Sequence, residues 1–315
     1  MASFDAINYS LRPSKSIQRQ IVFDSVRLLQ DVMELDHLAY IGFGSIWFTD
    51  FVLAHKVLRI TDMVSIEDDD IGYVRAKFNS PYSSVRVEHG LSTVVLPKLF
   101  ADPALAGRPW MLWLDYDYEL DESVRDDVRS VIEYAPANSI LIITFNAVDK
   151  KYGHKPFERC DRLRGLLGSA VPDELQPASC KNEQMQVTLA ELGLDFMKST
   201  AADIARPGGF VPATRILYRD GAPMVTIGGI LPTKGAARVV KDLVNGSSWP
   251  AWRPRPITAP HLTMREAAVL QSLLPCATKL TRQNVRDLGF DLDEDQIEAF
   301  ETYYRQYPAF AQIVS

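Results

Sequence analysis

The sequence predicts a doubly wound α/β protein with a mostly parallel sheet, an antiparallel hairpin towards its carboxyl end, and a small helical extension beyond it. Three observations carry that prediction. Strand-like and helix-like segments alternate from about residue 37 to residue 146, the rhythm of right-handed βαβ units. Two of the strands, Trp110-Met111-Leu112-Trp113-Leu114 and Ser139-Ile140-Leu141-Ile142-Ile143-Thr144-Phe145, are apolar at nearly every position, as strands covered on both faces are. After residue 146 the rhythm changes. Thr214 to Tyr218, a turn at Asp220-Gly221, and Met224 to Ile227 then read as a hairpin.

Each element follows from local pattern. Residues 14–35 form an amphipathic helix, with Ile17, Ile21, Leu28, Leu29 and Val32 near helical spacing. A first strand at about 37–42 leads through a glycine-rich turn to a helix at about 45–58, then to a second strand at 60–67. Phe78 to Tyr82 is a turn, and Ser84 to Glu88 a short third strand closed by Gly90. Val124, Val128, Val131, Ile132 and Ala135 keep one apolar helical face behind an acidic start at Asp121 and Glu122. Residues 147–212 read as irregular, then helical around Leu189, Leu192 and Phe196. Pro250, Pro254, Pro256 and Pro260 make an extended strap. A helical tail follows, ending in the aromatic cluster Phe300, Tyr303, Tyr304, Tyr307 and Phe310, which packs a core or a dimer contact. The expected divisions are a helical segment at 1–36, a sheet domain at 37–244, and a linker with helical extension at 245–315.

Composition limits the function classes. A chain of 315 residues can bury one large core, and 47% hydrophobic with 23% charged residues is ordinary for a globular protein. A net charge of -6 gives no support to a globally basic nucleic-acid surface. The cysteines, Cys160, Cys180 and Cys276, have neither disulfide nor metal-ligand spacing, which points to a reducing compartment. No apolar run has membrane-spanning length and no signal-peptide pattern opens the chain, so the expected location is the cytoplasm.

The chemistry concentrates around Ala39-Tyr40-Ile41-Gly42-Phe43-Gly44-Ser45 and an acid, Glu67, twenty-three positions after Gly44. Gly42 and Gly44 let the backbone turn sharply beside a ligand, and Glu67 falls where such a sheet offers a carboxylate to ribose hydroxyls. Each alone has a bland reading, a turn or the solvated helix start Glu67-Asp68-Asp69-Asp70; together they point to a nucleoside-bearing ligand. Asp115 and Asp117, two apart on an extended strand, place both carboxylates on one side, facing the crevice. Arg12, Lys15 and Arg19 could cover an anionic ligand, but a solvated helix face is the better reading. The histidines share no metal-ligand spacing, and no metal is expected.

Over roughly residues 37–230 these features resemble the class I S-adenosylmethionine-dependent methyltransferase superfamily, whose fold is Rossmann-like, and look similar to uncharacterised bacterial O-methyltransferases. The resemblance implies S-adenosylmethionine (SAM) as cofactor. Gly42, Gly44 and Ser45 would face its methionine part and Glu67 its ribose. Glu88, with His89 beside it, would face its adenine. Of Asp115 and Asp117, one would hold the cofactor amine and the other accept the proton of an oxygen nucleophile. The acceptor is a small molecule or an exposed macromolecular site, nucleic acid being disfavoured by the acids of the extension. A homodimer or larger complex remains open. The catechol-type magnesium arrangement is matched by Asp115 and Asn146 but has Phe145 where its middle acid belongs. Two readings compete: a catalytically silent SAM- or nucleoside-binding sensor or partner, and a dinucleotide oxidoreductase, which the missing third glycine disfavours. Gly44→Arg is expected to fill the crevice and leave the fold intact.

Overall fold

A computed structural model describes residues 12–308. Its centre is a seven-stranded sheet in the order β3-β2-β1-β4-β5-β7-β6. The strands are β1 Ala39–Gly42, β2 Met63–Glu67, β3 Val85–His89, β4 Trp110–Glu119, β5 Ser139–Asn146, β6 Val211–Asp220 and β7 Ala222–Leu231. The first five run parallel, and β7 enters antiparallel to both β5 and β6. The predicted class and the hairpin are therefore both present.

Helices cover both faces. On one lie α4 (Ser92–Phe100), α5 (Glu122–Tyr134), α6 (Pro156–Leu167) and α7 (Asn182–Asp203), whose Val95, Val128, Leu163 and Leu189 pack on Leu112, Leu114, Leu141 and Ile143. On the other lie α1 (Pro13–Met33), α2 (Thr49–Leu58), α3 (Asp70–Asn79) and α8 (Ala237–Val244), with Ile17, Phe51, Ala76 and Val240 against Tyr40, Met111 and Trp113. The extension, α9 (Met264–Ser272), α10 (Arg282–Asp287) and α11 (Glu294–Tyr303), joins that second layer through Leu270, Val285 and Phe300. Of the tail's aromatics, Phe300, Tyr303 and Tyr307 are buried core residues; Phe310 lies outside the described residues.

Several boundaries differ from the sequence pattern for local reasons. The second helix begins at Thr49, not near residue 45, because Ser45 and Phe48 both take left-handed backbone with φ of 48°. Strand β4 runs four residues past Asp115, with its register to β5 shifting between Asp115 and Glu119. Helix α6 was hidden in a segment read as irregular. Its start is made by Glu158, whose carboxylate accepts the N–H groups of His154 and Lys155. Arg206 closes α5 from outside, donating to the carbonyls of Ile132 and Ala135 at its carboxyl end.

The antiparallel join is the tightest packing in the sheet. A Cβ on Gly228 of β7 would lie 2.2 Å from the Leu141 carbonyl oxygen, and one on Gly229 2.2 Å from that of Val211. Backbone atoms cannot step aside as a side chain can. Gly228→Ala is accordingly expected to lose about 3 kcal/mol or more of stability, read as a lowered urea midpoint. A loss within about 0.5 kcal/mol would show that the sheet relaxes freely there.

Candidate functional site

The carboxyl ends of β1, β2 and β4 meet at one rim. The glycine turn after β1 is shaped by the protein's own atoms. A Cβ on Gly42 would stand 2.8 Å from the Trp113 carbonyl oxygen, and one on Gly44 2.5 Å from the Phe48 ring and 2.6 Å from Ser65 Oγ. The Gly44 N–H donates to Ser65 Oγ at 3.0 Å, tying the turn to β2. Gly44→Arg therefore collides with Phe48 and Ser65, so the expectation of an intact fold is corrected. Phe43 leans away, edge-on to Tyr116 at 5.3 Å, and Tyr116 meets Tyr118 edge-on at 5.3 Å. Buried Tyr116 is fixed by a hydrogen bond from its hydroxyl to Asp127 at 2.8 Å. These aromatics pack together beside the carboxyl end of β4.

Glu67 stands half-buried at the end of β2 and accepts the Asp69 N–H at 3.1 Å. Burial pushes its carboxyl up to about 7, with backbone donation from Asp69 opposing the shift. Gly72 makes room for it: a Cβ there would lie 2.9 Å from Glu67 Oε1. Across the sheet register Glu67 faces His89, not Glu88. His89 stacks on Tyr73 with ring centroids 4.7 Å apart and meets Asp70 at 3.2 Å. Glu88 points to the other side of β3 and pairs with Arg86 at 3.1 Å.

Against the other face of the sheet, beneath α1, lie charged residues whose pattern suggested solvent. Lys15 and Arg19 do not lie on a solvated face; each is 4% exposed, between α1 and the sheet. Lys15 Nζ lies 2.7 Å from Asp115 Oδ2, and Arg19 pairs with Asp50 of α2. Burial works against Arg19's charge, but Asp50 and Asp115 outweigh it and the shift is upward, so the guanidinium stays charged. Burial also raises the phenols of Tyr40 and Tyr218 well above their ordinary range. A signal existed: Lys15, Gln18, Arg19, Val22 and Val26 recur at three- and four-residue spacing, continuing the apolar stripe.

Within this cluster four buried polar atoms, Asp115 Oδ1, Arg19 Nη1, Gln18 Oε1 and the Tyr218 hydroxyl, have no hydrogen-bond partner among the described residues. The Asp115 and Arg19 atoms belong to groups held elsewhere by ion pairs. Asp117 shares Asp115's strand end, where the register shifts, and its side chain is exposed. Asn146 turns inward, its Oδ1 accepting the Val148 N–H at 2.9 Å. Among the described residues no group of three His, Cys, Asp or Glu side chains could hold a metal ion. Elsewhere, Cys160 and Cys180 are free thiols in buried contact at 3.3 Å, and Cys276 is free and exposed. No helix among the described residues is long and apolar enough to cross a membrane.

The buried pair makes a stability prediction. Lys15→Met strands the Asp115 charge away from water and is expected to cost about 3–5 kcal/mol by chemical denaturation. Adding Asp115→Asn should recover most of that loss. Equal stability of Lys15→Met and the native chain would mean that water reaches Asp115 freely.

Comparison with known proteins follows the same direction. The model of a family described as "Putative O-methyltransferase" matches residues 7–315. No curated protein matches the chain. Among solved structures, the chain is similar to the O-methyltransferase from Bacillus cereus in complex with SAH, at 10% identity and TM-score 0.37, over 68% of this chain and 90% of that one. A duf574 family protein from Streptomyces avermitilis has 15% identity and TM-score 0.41, over 69% and 84%. A mutant form of MtNAS has 13% identity and TM-score 0.32 over 65% of this chain, which spans only 59% of that one.

Proposed function

Because this chain belongs to that O-methyltransferase family, we propose that the rim takes SAM, as the class I methyltransferase resemblance implies, and that the methyl group goes to an oxygen of the acceptor. The observation that carries this reading is the pair of unpartnered buried atoms, Asp115 Oδ1 and Arg19 Nη1. A buried acceptor and a buried donor are each costly to leave unmade. An amino-acid zwitterion suits these two of the unpartnered atoms: its ammonium suits Asp115 and its carboxylate suits Arg19. Gly42, Gly44 and Ser45 then keep the backbone low beneath the methionine part. Glu67 takes the ribose hydroxyls, and His89, its partner in the sheet register, lies beside the adenine, while Glu88 on the other side of β3 stays with Arg86.

When bound, SAM supplies a methyl already activated on a sulfonium, so the chain's own tasks are holding, aligning and accepting one proton. Asp115, committed to Lys15 and the cofactor amine, is a positioning group. Asp117, exposed two residues further on, takes the acceptor's hydroxyl proton. The packed aromatics Phe43, Tyr116 and Tyr118 keep water from the reacting groups.

Titration calorimetry tests the site. SAM and S-adenosylhomocysteine should both bind, and Asp115→Asn should weaken each at least about tenfold, or 1.4 kcal/mol. Methylthioadenosine, which lacks the amino-acid end, should bind the variant as it binds the native chain. An equal loss for all three ligands would remove Asp115 from the amino-acid subsite. Transfer of labelled methyl to an oxygen acceptor separates an enzyme from a silent sensor, for which binding persists without transfer.

Glu67 adds a pH dependence. A carboxylate that receives ribose hydroxyls works best ionised, and burial holds Glu67 at about 7. SAM affinity should therefore rise as pH climbs through about 7 and level off above it. The sign for stability is opposite. A carboxyl raised above its ordinary 4.5 makes the unliganded fold less stable as pH rises from that value through 7. Binding near pH 6 should release a proton, seen by calorimetry in buffers of different ionisation enthalpy, and Glu67→Gln should abolish both effects. An affinity flat across this window would place the ribose elsewhere.

A further inference from the structure

We propose that the outward face of α3 is the surface through which two copies of this chain associate, helix against helix about a two-fold axis. Helix α3 lays its smallest residues, Gly72 and Ala76, on the sheet, where both are buried. The face turned directly away carries Ile71, Val74 and Phe78, exposed by 70%, 64% and 87%. Phe78 is the most exposed large hydrophobic side chain among the described residues. At spacings of three and four these side chains form one continuous stripe. Scattered apolar residues are normal on a surface, but a stripe framed by charge marks a contact.

The charges around the stripe choose the occupant. Asp68, Asp69 and Asp70 crowd the helix start, and Lys77 stands near its end. Two such helices packed antiparallel bring each acidic start beside the other's basic end, and the helix dipoles oppose favourably. With the axis passing beside Val74, Ile71 meets the partner's Phe78 and the same contact repeats on the other side. A surface complementary to itself under a two-fold rotation is what an isologous dimer requires. Parallel packing would set the acidic starts against each other. A stable dimer covers about 800 Å² on each partner, so the stripe forms the apolar centre and the neighbouring charged residues the rim.

Sedimentation equilibrium in the micromolar range tests this. The native chain should show twice its 35.4 kDa mass. Phe78→Asp and, separately, Val74→Asp should raise the dimer dissociation constant at least about 100-fold, a change of 2.7 kcal/mol, with circular dichroism and thermal midpoint unchanged. Lys77→Glu should weaken the dimer, whereas Phe157→Asp, on α6 and also exposed, should leave it intact. A monomeric native chain overturns the proposal, and so does a dimer that survives both Phe78→Asp and Val74→Asp.

Discussion

Two cations and two anions, Lys15, Arg19, Asp50 and Asp115, are packed largely away from solvent between α1 and the rim of the sheet, and the placement of α1 depends on their pairing. Removing an ion from water costs several kcal/mol, so none of these groups tolerates burial alone. The pairs tie three separate parts of the chain, α1, α2 and the end of β4, into one arrangement. Neutral groups extend the tie. Gln18 donates to Thr226, Thr226 meets Thr144, and the Trp113 indole donates to Thr144, a chain of contacts at 2.8 to 3.1 Å crossing β7, β5 and β4. At its start α1 is clamped by Asp220 of the hairpin turn, which accepts the N–H groups of Ser14 and Lys15, and by Ala259, which donates to Ser14 Oγ. The helix that opens the described chain is thus held by elements more than 200 residues away.

Much of this architecture was legible because sheet strands and α5 write their burial directly into sequence. Trp110 to Leu114 and Ser139 to Phe145 had to be covered on both faces, and they are. Helix α6 was illegible for the opposite reason: its exposed face is dense in charge, and its amino end is closed by Glu158 folding back on Lys155, a residue that is not one of the usual capping types. The early pattern of α2 misled because Ser45 and Phe48 take left-handed conformations that no period reveals. At the crevice, sequence located the glycine turn, Glu67 and Asp115 but gave Lys15 and Arg19 to solvent. Charge on a helix implies exposure only when no opposite charge awaits it. Asp50 and Asp115 come from distant segments whose approach depends on the finished fold.

The glycines show how a motif can have a cause different from the one it suggests. Gly44 has no space for a Cβ because Phe48 and Ser65 already fill it, so a ligand is not needed to explain the residue. The turn and the crevice are then linked indirectly. By admitting Phe48 beneath it, Gly44 lets the backbone run low, and Ser65 holds it there through the Gly44 N–H. Gly72 does the same for Glu67, giving the carboxylate a place against the start of α3. Small residues here shape a surface by what they allow neighbours to occupy.

Charge balance also bears on which nucleoside fits. Lys15, Arg19, Asp50 and Asp115 balance as two cations and two anions, and the unpartnered atoms beside them include an acceptor on Asp115 and a donor on Arg19. In the proposed reading a zwitterion partners both and adds no net charge. A dinucleotide would bring a pyrophosphate, two negative charges with no unmatched cation in this cluster to receive them, and it would leave the Asp115 oxygen facing like charge. The missing third glycine pointed the same way, but only as a pattern. The balance among these four groups supplies a physical reason, because an anion buried beside them would need a counter-ion that they do not spare.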